Sequence, residues 1–341
     1  MDIPVPTRFT PTFCPYFDCR GPANYHRKGF YGRKCDGDRV QRFKCLSCGR
    51  WFSEQTFKVN YRLKRPELDV PIFQDLICKV TQRQSARTLG CKRAAVALRL
   101  RLFSVHCRTF HRQQLDLALA KGPLHGRFQL DELETFEHNR RLAPVTAPAL
   151  IDAHSYFIVH TATGDLPARK PLSELNQEKL AMRERARGKR YSESCFAVKR
   201  CWGKLDRLTA SRPVISVTTD RKTAYASSLR KRFGGRLQHT RVSAKEPRGY
   251  NNPLFPVNHT FAMFRDGMSR LVRRNWATTK ITRELRHHLW TWMTWRNFVR
   301  YITNENKKQS PAMVFGVSDR FYTVAELLRW RVFRRGCLGA A

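Results

Sequence analysis

Four cysteines in two short pairs, Cys14 with Cys19 and Cys45 with Cys48, constrain the start of this chain more tightly than any other feature. Spacings of C-x4-C and C-x2-C let four thiolates converge on one tetrahedral ion, which predicts a structural Zn²⁺ site within a small module over residues 1–60. The second pair lies in Phe43-Lys-Cys-Leu-Ser-Cys-Gly-Arg-Trp-Phe. There Gly49 supplies the turn that follows the last ligand, and Trp51 and Phe52 are expected to pack beneath the metal. Cys35 has no partner spacing and stays outside the set. The 11 cysteines are odd in number and unevenly spread, which argues against a secreted disulfide framework and for a reducing compartment.

The chain carries 65 Lys and Arg against 27 Asp and Glu, a net charge of +38. Such an excess goes beyond what solubility requires and selects a polyanionic partner, nucleic acid or an anionic membrane. No apolar run approaches the roughly 20 residues of a membrane span, and no signal-peptide pattern opens the sequence. A cytoplasmic protein with no membrane partner is therefore expected. With 341 residues, 41% of them hydrophobic, the chain has material for two or three domains with real cores.

After a linker at Tyr61-Arg-Leu-Lys-Arg-Pro-Glu, a helical module is expected over residues 68–120. Pro71 suits a first helical turn, and Ile72, Phe73, Leu76, Ile77 and Val80 recur at helical spacing. A short helix, a turn at Gly90 and a basic helix then give a helix-turn-helix pattern. Ala86, Leu89, Val96 and Leu100 form its inner face, and Lys92, Arg93, Arg99 and Arg101 are placed to reach a DNA groove or its phosphates. Phosphate contacts carry no sequence information, so the bases read do not follow.

From about residue 124 the periodicity becomes strand-like. Arg127-Phe-Gln-Leu-Asp, Pro148-Ala-Leu-Ile-Asp and Tyr156-Phe-Ile-Val-His predict a three-strand meander, and Leu172 to about Leu208 predicts one or two helices. A fourth strand from Pro213 to Thr219, a helix around Ala224–Phe233 and a fifth strand near Arg236–Val242 follow. Asp131 and Asp220 each close an apolar run, and two acids on adjacent strands of a cationic protein point to metal-dependent phosphate chemistry.

The order β-β-β-α-β-α-β-α is that of a ribonuclease H-like domain. Together with the cysteine quartet, Leu130-Asp-Glu-Leu, Val217-Thr-Thr-Asp-Arg-Lys-Thr-Ala-Tyr and Asn252-Pro-Leu-Phe-Pro-Val-Asn-His-Thr-Phe-Ala-Met-Phe-Arg-Asp-Gly, it resembles the DDE transposases of bacterial insertion sequences. The groups in question place a zinc ribbon and a helix-turn-helix before the catalytic domain. The resemblance implies a multidomain α+β protein with the ribonuclease H-like mixed sheet and flanking helices over residues 124–305, and a tail over 306–341. It assigns the catalytic roles to Asp131, Asp220 and Asn258, the last being Asn where Glu is commoner. Asn258 lies 38 positions after Asp220, and Arg265 stands seven positions further on, where a basic residue is usual. Mg²⁺ or Mn²⁺ is the implied cofactor, double-stranded DNA of element ends and target the implied partner, and a nucleoid-associated homo-oligomer on DNA the implied assembly.

Neighbouring acids leave alternatives. Glu132 should face the other side of the sheet, Glu134 is a nearer rival to Asp131, His259 a rival to Asn258, and Asp266 and Glu284 outside candidates for a third acid. Arg270, Arg273, Arg274, Lys280 and Arg283 are further phosphate candidates. Trp292, Trp295, Val299 and Ile302 read as a core stripe. A DNA-binding regulator derived from a transposase, without chemistry, and a ribonuclease H-like nuclease are the rival functions.

Overall fold

The computed structural model is a mixed α+β protein and describes residues 9–19, 21–243, 245–247, 249–272 and 276–331. It divides into two compact units, residues 1–72 with 324–341, and residues 73–323.

In the first unit, β1 (Tyr25–Gly32), β2 (Arg39–Cys45) and β3 (Trp51–Ser53) make an antiparallel sheet in that order. Phe43 on β2 lies directly opposite Phe52 on β3, and their rings stack at 5.3 Å. Phe9 and Phe57 complete the core beneath them. Strand alternation then sends Trp51 outward, 50% exposed, so only Phe52 of the expected aromatic pair is buried. Helix α1 (Asp69–Ile77) runs from this unit into the next, with Pro71 in its first turn.

The second unit opens with α2 (Gln82–Thr88) and α3 (Arg93–Lys121). Thr81 and Gln84 form a reciprocal cap at the start of α2, and Gly90, at φ +57°, makes the left-handed turn between the helices. No Gly or Pro interrupts the sequence between Gly90 and Gly122, and α3 accordingly runs for 29 residues. Its middle buries Phe103, Cys107 and Phe110.

The sheet is built from β4 (Arg127–Phe136), β5 (Pro144–Asp152), β6 (Ile158–Thr161) and β7 (Gly164–Asp165), followed by α4 (Glu174–Arg187) and α5 (Ser194–Leu208). Then come β8 (Ile215–Asp220), α6 (Thr223–Phe233), β9 (Leu237–Val242), α7 (Phe255–Gly267) and α8 (Thr282–Phe298). The short helix α9 (Pro311–Val314) follows, and α10 (Val324–Arg329) belongs to the first unit. Strand order is β6-β5-β4-β8-β9, with β7 on β5. β4, β5 and β6 are an antiparallel meander, while β8 and β9 run parallel to β4. Every residue of β5 is buried, so both faces of the sheet are covered. Asn297 on α8 uses both ends of its amide on Ile158, accepting from its N–H and donating to its C=O at 2.9 Å each, which satisfies the outer edge of β6. Helix α8 is buried nearly all round and ends at Phe298, so Trp292 is core while Val299 and Ile302 fall beyond the helix.

Gln129 of β4 fixes α7 to the sheet. Its Nε2 donates to Pro253 O at 2.6 Å, and its Oε1 accepts from Val257 N at 3.2 Å. The side chain is buried, so replacing it strands two backbone groups away from water. Gln129→Leu is expected to cost about 1–3 kcal/mol in urea unfolding; wild-type stability in that variant would mean that α7 is held by apolar packing alone.

Candidate functional site

The four cysteines of the sequence motif come together. Their sulfurs all lie within 4.8 Å of one another, with Cys14 to Cys48 and Cys19 to Cys45 at 3.8 Å. Four thiolates bound to one ion at about 2.3 Å stand about 3.8 Å apart, whereas a disulfide bond is about 2.05 Å. The geometry therefore suits a structural metal ion such as zinc. Gly49, at φ +71°, donates its N–H to Cys45 O at 2.9 Å and closes the turn that aims Cys45 and Cys48 inward.

Electrostatics around the thiols are uneven. Burial pushes the Cys14 thiol up. Burial also acts on Cys48, but the Arg50 backbone N–H and guanidinium outweigh it and bring that thiol down to about 7. Arg50 is itself held by an ion pair with Asp18 and by the Tyr16 ring 4.1 Å beneath it. One thiol is thus prepared to ionise, and a bound cation would favour the thiolate of Cys14 and Cys19, which burial holds protonated.

Asp131 and Asp220 lie on neighbouring strands. The parallel pairs of β4 with β8 run from Arg127–Ser216 to Gln129–Thr218, and the same register carried two residues further would set Asp131 level with Asp220. By alternation both share the face of Gln129, on which α7 is fastened. Both are near enough to Tyr225 to act on its phenol, which is pushed up by burial first, then by Glu132, with Asp131 and Asp220 adding to it. Asp220 also accepts from Lys222 N at 3.0 Å, a turn bond leading into α6, and Asp131 accepts from Glu132 N at 2.7 Å. Asn258 is the fourth residue of α7, half-buried, and Arg265 follows it two turns later on the same flank. Among the described residues the cysteine quartet is the one cluster of three or more Cys, His, Asp or Glu positioned for a metal.

The rival acids have other work. Glu134 pairs with Arg169, Asp266 with Lys79 at 3.6 Å, and buried Glu284 with Arg101 at 2.9 Å. His259 packs its ring between Phe255 and Tyr156. Glu132, whose neighbours sequence reasoning missed, turns to the opposite face. Its carboxylate accepts from Thr146 Oγ1 at 2.7 Å, Ser194 Oγ at 2.7 Å, Tyr225 OH at 2.6 Å and the Lys222 ammonium. Burial alone would raise this carboxyl, but Lys222, Tyr225, Ser194 and Thr146 together hold it below its ordinary value.

The expected DNA-facing cations separate. Lys92 and Arg93 are exposed at the start of α3. Arg99 is 3% exposed and cannot present its guanidinium to a duplex, because it falls on the inner side of α3 beside Leu100. Arg101 is engaged with Glu284. Arg265 and Arg270 are half-buried, and burial lowers the pKa of Arg270. Arg273 and Arg274 lie outside the described residues. Lys280 and Arg283 are exposed, Arg283 lying 3.9 Å from Glu284. No described helix is long and apolar enough to cross a membrane. Neither a scan of protein-family models nor a search of curated proteins returns a match.

Two outcomes follow from these geometries. Metal analysis of the purified chain should find one zinc per chain and none in Cys45→Ser, with loss of the order around β1–β3; a folded, zinc-free wild type would refute the site. For Glu132, a carboxyl lowered in the folded state contributes stability above its ordinary pKa, and that stability is lost as pH falls through the folded value. Glu132→Gln should therefore be less stable than wild type near neutrality and should lose less as pH falls through and below the ordinary carboxyl range. Parallel stability curves for the two proteins would contradict this.

Proposed function

We propose that the chain is a DNA transposase of the insertion-sequence type, with a zinc ribbon, a helix-turn-helix over α2 and α3, and a ribonuclease H-like catalytic domain. The observation that supports the reading is the parallel register of β4 and β8, which, carried two residues beyond its last pair Gln129–Thr218, would level Asp131 with Asp220 on the face to which Gln129 fastens α7, the helix of Asn258. The strand order, with a three-strand meander and two parallel strands added beside β4, is in keeping with it.

Two carboxylates and an amide oxygen form a hard oxygen donor set, which fits Mg²⁺ or Mn²⁺ and not a softer metal. Such ions, when bound, activate the incoming oxygen and stabilise the leaving one in displacement at phosphorus. Asp131 and Asp220 supply the site's negative charge, and Asn258 supplies a neutral donor or orients a water. Arg265, on the Asn258 flank of α7, holds a phosphate of the strand being cut. Lys92 and Arg93, exposed at the start of α3, meet the backbone of an element end. Because two ends must be joined, the protein works as a homo-oligomer on DNA, in the cytoplasm at the nucleoid.

The test uses a labelled terminal repeat from the flanking DNA, a target plasmid and Mg²⁺. Wild type should give nicked and joined products, and Asp131→Ala and Asp220→Ala should abolish both, a loss on the order of a thousandfold or more. Binding without any nicking would identify a regulator, and cutting without joining a nuclease. Asn258→Glu should keep or raise activity if the amide is a weakened ligand, and its inactivity would remove Asn258 from the site.

A further inference from the structure

Four aromatic rings touch in turn to make a ledge along the start of α7, edge to face at either end and stacked only between Phe255 and His259. Tyr250 meets Phe255 at 5.3 Å, Phe255 meets His259 at 5.8 Å, and His259 meets Tyr156 at 5.5 Å between ring centroids. Phe255 and His259 stand one helical turn apart, and Asn258 lies between this pair and the buried stripe of Val257, Phe261 and Phe264.

The outermost ring is held in place although it faces water. Tyr250 is 82% exposed. It rides on a closed turn: Asn252 Nδ2 donates to Pro247 O at 2.8 Å, Asn252 Oδ1 accepts from Leu254 N at 2.8 Å, and Gln129 holds Pro253 O. At the other end Tyr156 adopts φ +57°, a region that residues with a side chain rarely occupy, and Ser155 anchors that turn by donating to Asp152 from both its N–H and its hydroxyl.

The chemistry of a matching ligand follows from the surroundings. Arg241 and Lys245, both exposed, lie on β9 and the connection that carries Tyr250. The exposed ring of Tyr250, on a connection that also carries exposed cations, suits a polyanion that itself carries flat rings, which is a nucleic acid strand. Bases inside a duplex hide their faces in the stack, so the ledge can take only a base that has left it. We propose that Tyr250, backed by Phe255 and His259, is a stacking site for an unpaired nucleobase of a DNA strand lying beside Asn258. The DNA ligand rests on the reading of the active site given above, but the stacking itself can be measured without catalysis.

The full-length protein is titrated into a duplex with a short single-stranded overhang carrying 2-aminopurine, and into the blunt duplex of the same sequence. The overhang fluorescence should be quenched, and Tyr250→Ala should bind the overhang about tenfold more weakly while Tyr250→Phe binds as wild type and the blunt duplex is unaffected. Unchanged quenching and affinity in Tyr250→Ala would overturn the proposal. So would equal losses on both duplexes, or an effect of the variant on self-association alone, which would make the ring a protein contact. Nicking assayed on the same substrates separates the two readings. Tyr250-dependent quenching without cleavage keeps the ledge and removes the transposase. Cleavage and joining with an indifferent Tyr250 keep the transposase and remove the ledge.

Discussion

The buried carboxylate of Glu132 is the interaction on which the second unit depends. A carboxylate taken out of water is costly unless its lone pairs are met, and here donors from β5, α5, the β8–α6 turn and α6 converge on one side chain. The bond to Lys222 reaches towards the candidate site, because Lys222 also donates its backbone N–H to Asp220. Thus the residue beside Asp131 fixes the turn that carries Asp220. The period of two in a strand makes this possible, since Glu132 can face α5 and α6 while Asp131 looks to the other side.

β4 acts as a keel for the same reason. Gln129 ties α7 to one face, Glu132 ties α5 and α6 to the other, and just past the strand end Glu137 binds Arg183 and Arg190 at 2.8 and 2.9 Å and accepts from Thr282 at the start of α8. Glu137 too is held below its ordinary value, since these donors outweigh the effect of burial. Three polar residues within nine positions of chain therefore place most of the surrounding helices. Arg183 and Arg190 flank the end of α4, a helix with no buried residue of its own, so that helix is located by charge pairing and not by an apolar stripe.

What could be read in the sequence was local. The cysteine spacing, the apolar runs of the strands and the breakers at Gly90 and Gly122 act over a few residues, and they located the thiol cluster, the meander and the helix boundaries to within a few positions. Trp51 was misplaced because the metal suggested an inward ring, whereas alternation against Phe52 decides the face. Arg99 failed for a similar reason: a charge on a basic helix reads as exposed until the helix is known to be packed round most of its length. The partners of Glu132 lie up to 93 residues away, and Glu284 and Arg101 are 183 apart. No periodicity connects such pairs, because the topology brings them together and each residue alone looks like an ordinary surface charge.

On the proposed reading, a net charge of +38 and a neutral third ligand belong to one balance of charge. Asp131 and Asp220 bring two negative charges to a site set in a strongly positive field, which by itself repels a divalent ion. If that reading holds, a DNA strand would cancel part of that field along Lys92, Arg93 and Arg265 and would add phosphate oxygens beside the carboxylates. Metal affinity and DNA affinity must then reinforce each other, by the reciprocity that governs any two linked ligands. Glu in place of Asn258 would raise metal affinity in the absence of DNA and so weaken that coupling. An amide at this position therefore favours a site that gathers its ions when the substrate is in place, with the positive surface acting as the device that makes the order matter.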